Sequence, residues 1–158
     1  MVTVRRVVGA LRLRDAAQAM SQENVEVVRE SVRRFAAGDL AGLASLYTPD
    51  VLVVAPPKWP EGGRFEGRDA VIRQLTRVQE DWANQTMEVQ KERAERDWVV
   101  VELLWTVEGA GSGTPGEVTI YAACRVEGQL IAELLYFWEW DDALRAVGLS
   151  GQDAHADS

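Results

Sequence analysis

Three ionisable side chains interrupt otherwise apolar runs of this 158-residue chain: Glu102 in Val101-Glu102-Leu103, Arg125 in Cys124-Arg125-Val126 and Glu133 in Ala132-Glu133-Leu134. Runs of this kind read as strands, in which successive side chains point to opposite faces. Val99, Val101, Leu103, Trp105 and Val107 then share one face, assigned to the core, and Glu102 falls on the outer face as a structural residue. In the last run Ile131, Glu133, Leu135 and Phe137 share one face; Leu130, Ala132, Leu134, Tyr136, Trp138 and Trp140 share the other. Both faces are apolar, so both are expected to be covered. A carboxyl in such a setting is either a desolvated acid–base group or half of an ion pair. Glu133 is therefore a candidate general acid or base, or it pairs with Arg125 or faces solvent at a bulge. Glu102 with Arg125 is a further candidate pair across strands.

The remaining reactive residue types are scarce. Cys124 is the single cysteine, expected as an inert buried thiol, and His155 is the single histidine, set in a Gly, Asp, Ala and Ser tail. That excludes Ser-His-Asp and Cys-His catalysis, leaves no His or Cys cluster for zinc and shows no calcium-loop spacing. Neither a metal nor a cofactor is expected. Gly109-x-Gly111-x-Gly113 lacks the following helix that a phosphate loop requires and reads as a hairpin connection. A net charge of −8 argues against nucleic acid as a partner. No apolar run reaches the ~18–20 residues of a membrane helix, and the lone cysteine gives no disulfide, so the expected location is cytoplasmic.

The elements that would position these residues are readable in order. Residues 1–19 carry four arginines and one aspartate, a charge of +3, and leave −11 for the rest. They read as an N-terminal extension, disordered or ahead of the true start, because Ser21 begins a helix signal: a cap, early Glu23 and Glu26, and the stripe Val25, Val28, Val32, Phe35 up to Gly38. Asp39 caps a short second helix through Leu40, Leu43 and Leu46, and Thr48-Pro49-Asp50 ends it before the strand Val51–Val54. A Pro/Gly loop with Pro56, Pro57, Pro60, Gly62 and Gly63 carries Trp59 and Phe65. Val71, Leu75, Val78 and Trp82 then mark a third helix, and 86–94, 98–108, 117–127 and 129–140 are extended segments of a meander. Residues 141–147 form a last helical turn and 150–158 a flexible tail. Helices first and strands later imply an α+β domain with helices on one face of a mostly antiparallel sheet.

This order, with the words Met20-Ser21-Gln22-Glu23-Asn24-Val25, Phe35-Ala36-Ala37-Gly38-Asp39-Leu40, Leu46-Tyr47-Thr48-Pro49-Asp50-Val51, Glu61-Gly62-Gly63 to Phe65-Glu66-Gly67 and Asp142-Ala143-Leu144-Arg145-Ala146-Val147-Gly148-Leu149, resembles the SnoaL-like branch of the nuclear transport factor 2-like superfamily over residues 20–149. The resemblance implies a cone-shaped, curved sheet with three helices on its concave face, enclosing one apolar pocket, often in a homodimer. It also implies where family chemistry would sit. Ala55 occupies the position of the general-base aspartate of ketosteroid isomerases, Ser31 that of their oxyanion tyrosine and Ala122 that of their protonated carboxylic donor, so all three groups are absent.

If the resemblance sets the parity of the last strand, Glu133 points into the cone, where desolvation would raise its pKa towards neutrality. The expected ligand site is then Tyr47, Trp59, Phe65, Trp105, Ile131, Leu135 and Phe137, with Trp59, Phe65 and Trp105 as an aromatic wall for a flat apolar molecule. Two functions follow. One is a small-molecule pocket protein binding an apolar or aromatic ligand, with cofactor-free proton transfer by Glu133 if it is an enzyme. The other is a non-catalytic binding or dimerisation module with a filled core. Leu134, Tyr136, Trp138 and Trp140, with Tyr121, suggest a homodimer through the outer sheet face.

Overall fold

Helix α1 spans Val2–Ala36 in the structure, a computed structural model that describes residues 2–56, 63–109 and 115–149. Ser21, expected as its cap, lies inside it, and the extension expected to be disordered continues the helix back to Val2. No proline or glycine separates Ala10 from Ala36, and Ala16-Ala17-Gln18-Ala19-Met20 are mostly strong helix formers, so local propensity overrides the capping signal at Ser21. Among the described side chains, Ala16, Gln18, Ala19 and Met20 are exposed, Val25, Val28, Val32 and Phe35 enter the core, and Asn24 Nδ2 donates to the Arg96 carbonyl at 3.3 Å. A chain starting at Met20 should therefore melt within about 2 °C of the full chain by calorimetry. A larger drop would show that residues 1–19 dock.

Helix α2, Leu40–Ala44, starts as the sequence indicates, with Asp39 Oδ1 accepting from the Gly42 amide at 2.9 Å. Strand β1 is longer than expected, Tyr47–Ala55, because Thr48-Pro49-Asp50 is absorbed as a register irregularity rather than ending a helix. Gly63–Glu66, read as loop, is strand β2, paired antiparallel with β1. Helix α3, Arg68–Glu80, ends before Trp82, which instead opens strand β3, Trp82–Glu95. Strands β4, Trp98–Gly109, β5, Pro115–Glu127, and β6, Leu130–Phe137, complete the meander, and α4, Trp140–Ala146, follows. The order across the curved sheet is β2-β1-β6-β5-β4-β3, antiparallel except for β1 beside β6. Trp59, the glycine connection at 111–113 and the tail with His155 lie outside the described residues.

The concave face holds the main core. Val28 and Val32 of α1, Leu43 of α2 and Val71 and Leu75 of α3 pack on Val99, Val101, Leu103, Ile120, Ala122 and Cys124. The fourth helix takes the other face: Ala143 and Leu144 of α4 bury Val100 and Ala123, with Leu135 and Phe137 alongside. Its C-terminus is fixed by Gly148 at φ +82°, which lets the Leu149 amide reach the Leu144 carbonyl at 2.8 Å.

Strand β6 departs from the expected parity at one residue. Ile131 pairs with Val126 and Glu133 with Arg125, so Ala132 is an unpaired bulge. Ile131 before it and Leu134 after it both enter the concave core, while Glu133, Leu135 and Phe137 turn to the convex face. The expected inward face of Ile131, Glu133, Leu135 and Phe137 is thereby split. So is the surface assigned to a homodimer: Leu134 and Tyr136 lie inside, Trp138 at the rim, and Trp140 in α4 under the Lys91 ammonium at 4.1 Å.

Candidate functional site

Among the described residues, three spaces follow one another through the cone, and a further one of about 270 Å³ opens beside them between the end of α1 and the start of β3, lined by Ala36, Ala37, Gly38, Gln79, Trp82, Asn84 and Gln85. The innermost, about 40 Å³, is lined by apolar side chains together with Ser31, Tyr47, Cys124 and Tyr136. The middle one, about 30 Å³, adds Ala55, Gln74, Trp105 and Ile120. Phe35, Leu75, Met87 and Tyr136 line both and so form the partition. Trp105 in turn separates the middle space from a cup of about 290 Å³ at the wide end, lined by Trp82, Trp105, Val107, Gly116, Glu117, Val118 and Trp138. The two inner voids are each only a few waters in size, whereas the cup has the lower range of volume typical of ligand pockets.

Trp105 is held from three sides. Its indole N–H donates to Gln85 Oε1 at 3.1 Å, and its ring meets Trp82 at 5.8 Å and 80° and Phe35 at 6.1 Å and 60°. Gln85 Nε2 and Gln79 Nε2 donate to the Phe35 carbonyl at 3.0 and 2.9 Å, adding to the Gly38 amide, which reaches the same oxygen at 3.0 Å from the turn that ends α1. The wall between cup and interior is thus tied to α1.

Polar chemistry inside the cone is neutral. Burial raises the pKa of the Tyr47 phenol well above its ordinary value, with Tyr136 adding to the rise. Burial also raises Tyr136 and pushes the Cys124 thiol up to about 12. These groups ionise in the unfolded chain first, so their contribution to stability is complete below the unfolded values of ~8.5 for Cys and ~10 for Tyr and is lost as pH rises towards the folded ones. Tyrosinate absorbance should accordingly appear together with alkaline unfolding, and a thiol reagent should leave Cys124 unmodified at mildly alkaline pH until denaturant is added. Early titration of a tyrosine other than the outer-face Tyr121 would contradict this burial.

Of the residues expected at the site, the structure brings two to the row of spaces: Tyr47 to the innermost and Trp105 between the middle and the cup. Phe65 pairs with Val53 at the sheet edge and packs on the main core away from Trp105. Ile131 is fully buried core, and Leu135 and Phe137 lie beneath α4. Glu133 does not point into the cone: the bulge turns it outward, where its Oε2 accepts from Arg125 Nε at 3.0 Å. Arg125 also holds Glu127 at 3.2 Å, and Glu102 pairs with Lys91 at 3.7 Å rather than with Arg125. Ser31, Ala122 and Ala55, the positions where isomerase groups are missing, do line the inner and middle spaces. The sequence does not announce Trp82 and Trp138 as cup walls or Tyr136 as a partition: Trp82 continues the stripe of the third helix, and Tyr136 and Trp138 fall on the outer strand face unless a bulge is allowed for.

Among the described residues, no group of three or more His, Cys, Asp and Glu side chains could hold a metal ion, and no helix is long and apolar enough to cross a membrane.

A curved six-stranded sheet closed by helices over an apolar hollow defines the nuclear transport factor 2-like class of α+β cones. Residues 28–134 match the SnoaL-like domain, and the chain belongs to that family. No curated protein matches it. Among solved structures, an NTF2-like protein from Burkholderia xenovorans is 20% identical with a TM-score of 0.62, covering 80% of this chain and 96% of its own. A proposed SnoaL-like polyketide cyclase from a Jannaschia species is 20% identical, TM-score 0.65, with 74% of this chain and 85% of that one covered. TerC, co-crystallised with polyporic acid, is 21% identical, TM-score 0.65, over 74% of this chain and 92% of its own. At these identities the likeness establishes the fold.

Proposed function

We propose that this protein is a small-molecule binding module of the SnoaL-like family, taking an apolar or aromatic ligand in the cup at the wide end of the cone. The carrying observation is size combined with an apolar lining: about 290 Å³ bounded by three tryptophans and two valines beside Gly116 and Glu117, against about 30 and 40 Å³ inside and a neighbouring space of about 270 Å³ lined by the amides of Gln79, Asn84 and Gln85. TerC, with its polyporic acid, supports an aromatic ligand on this fold. Proton transfer by Glu133 is not carried forward, because Arg125 engages its carboxylate on the convex face. Titration with 2-naphthol, followed by tryptophan fluorescence, tests the reading. Saturable quenching that Trp105→Leu weakens about tenfold is expected, and an unaltered spectrum overturns it. Glu133→Gln should leave that binding unchanged and lower stability by no more than about 1 kcal/mol, since the pair is partly exposed.

The homodimer implied by the family would use the convex strip that α4 leaves open, around Leu104, Thr106 and Thr119, which share the outward parity of Glu102 and Tyr121. A monomer mass from light scattering at micromolar concentration would exclude it.

A further inference from the structure

We propose that Gln74 makes the middle space of the cone a binding site for a small uncharged group with a hydrogen-bond donor and an acceptor side by side, in its simplest form a primary carboxamide. This site lies beyond Trp105 from the cup and does not depend on what the cup binds. Gln74 sits on the buried face of α3 with Val71, Leu75 and Val78, a helical stripe that is otherwise apolar. It is 4% exposed and lines the middle space beside Val53, Ala55 and Ile120. Among the described residues nothing hydrogen-bonds its amide, and the little surface it keeps opens onto the space it lines, unlike the sealed hydroxyl of Thr48. A buried carboxamide without protein partners is costly, so its donors and acceptor point to an occupant from outside the chain.

The surroundings select that occupant. No Asp, Glu, Lys or Arg lines the space, and burial holds the Tyr136 phenol neutral, so an ammonium or a carboxylate would lose its water and meet no opposite charge. The Trp105 N–H is committed to Gln85, which leaves recognition to the Gln74 amide. A ketone would satisfy its N–H and leave Oε1 bare, whereas a carboxamide pairs with both at once. A volume of about 30 Å³ limits the group to a few non-hydrogen atoms, and Met87, unbranched and flexible, is the wall that can yield.

Acetamide, acetone and acetate share size and shape and differ in these groups alone. Each is titrated into the full chain while the side-chain amide signals are followed by NMR. Acetamide should shift the Gln74 NH2 pair saturably and bind at least about tenfold more tightly than acetone, and acetate should not bind. Gln74→Met, similar in length and apolar, should abolish the preference for acetamide and raise the melting temperature, because it removes an unpartnered buried amide. Equal affinity for acetamide and acetone, or a preference that survives in Gln74→Met, overturns the site. So does a Gln74 signal that acetamide leaves unmoved, which would make water the only occupant. A fall in the melting temperature of Gln74→Met also overturns it, since the amide would then be bonded within the protein.

Discussion

Trp105→Ala should destabilise the protein by about 3–5 kcal/mol and lower its melting temperature by about 10 °C or more. The side chain is 93% removed from solvent, and its loss leaves a void continuous with the cup. It also strips Gln85 Oε1 of its donor and Phe35 and Trp82 of their ring partner. Trp105→Phe retains most of the apolar volume and should cost about half as much. Differential scanning calorimetry measures both. A loss below about 1 kcal/mol for the alanine variant would mean that the wall collapses onto the gap without consequence, and the division between cup and interior would then be incidental.

Leu144→Ala should cost about 2–5 kcal/mol and promote self-association. Leu144 is fully buried and, with Ala143, is the anchor of α4 on the convex face. Loosening that helix uncovers Val100, Ala123, Leu135 and Phe137, an apolar patch in the middle of a sheet. Chemical denaturation gives the stability loss, and light scattering gives the association. A variant that melts like the parent would show that α4 contributes little to the convex face.

How much of this was legible depended on whether the signal was local. The α2 cap at Asp39, the strands over 98–108 and 117–127 and the inward face of β4 follow from short-range pattern and stand, whereas the last segment, expected to stay extended to 140, ends at Phe137 and passes into α4 at Trp140. Helix α1 overran its expected start because propensity outweighed the capping signal at Ser21. The site was less legible. Tyr47 and Trp105 line the interior spaces, Trp105 from a clean alternation, and Tyr47 from the start of β1 although the sequence places it at the end of the second helix. Glu133, Leu135 and Phe137 were placed on the wrong face because a bulge leaves no trace in a run that is apolar on both sides. The cup itself joins residues from β3, β4, β5 and the segment after β6, a long-range juxtaposition that periodicity does not encode.

The bulge at Ala132 decides which of two surfaces the rest of its strand presents. Because strand side chains alternate, taking Ala132 into the ladder as an ordinary paired residue would move everything downstream by one position and exchange its faces: Glu133 would swing into the hollow and Tyr136 out of it, whereas deleting Ala132 would leave both where they are. The Arg125 pairing would be broken and an ionisable carboxyl installed against apolar walls, at a cost in stability but with the makings of an acid–base group. A binder and a proton-transfer scaffold would then stand one register slip apart, with the reactive residue already written into the chain.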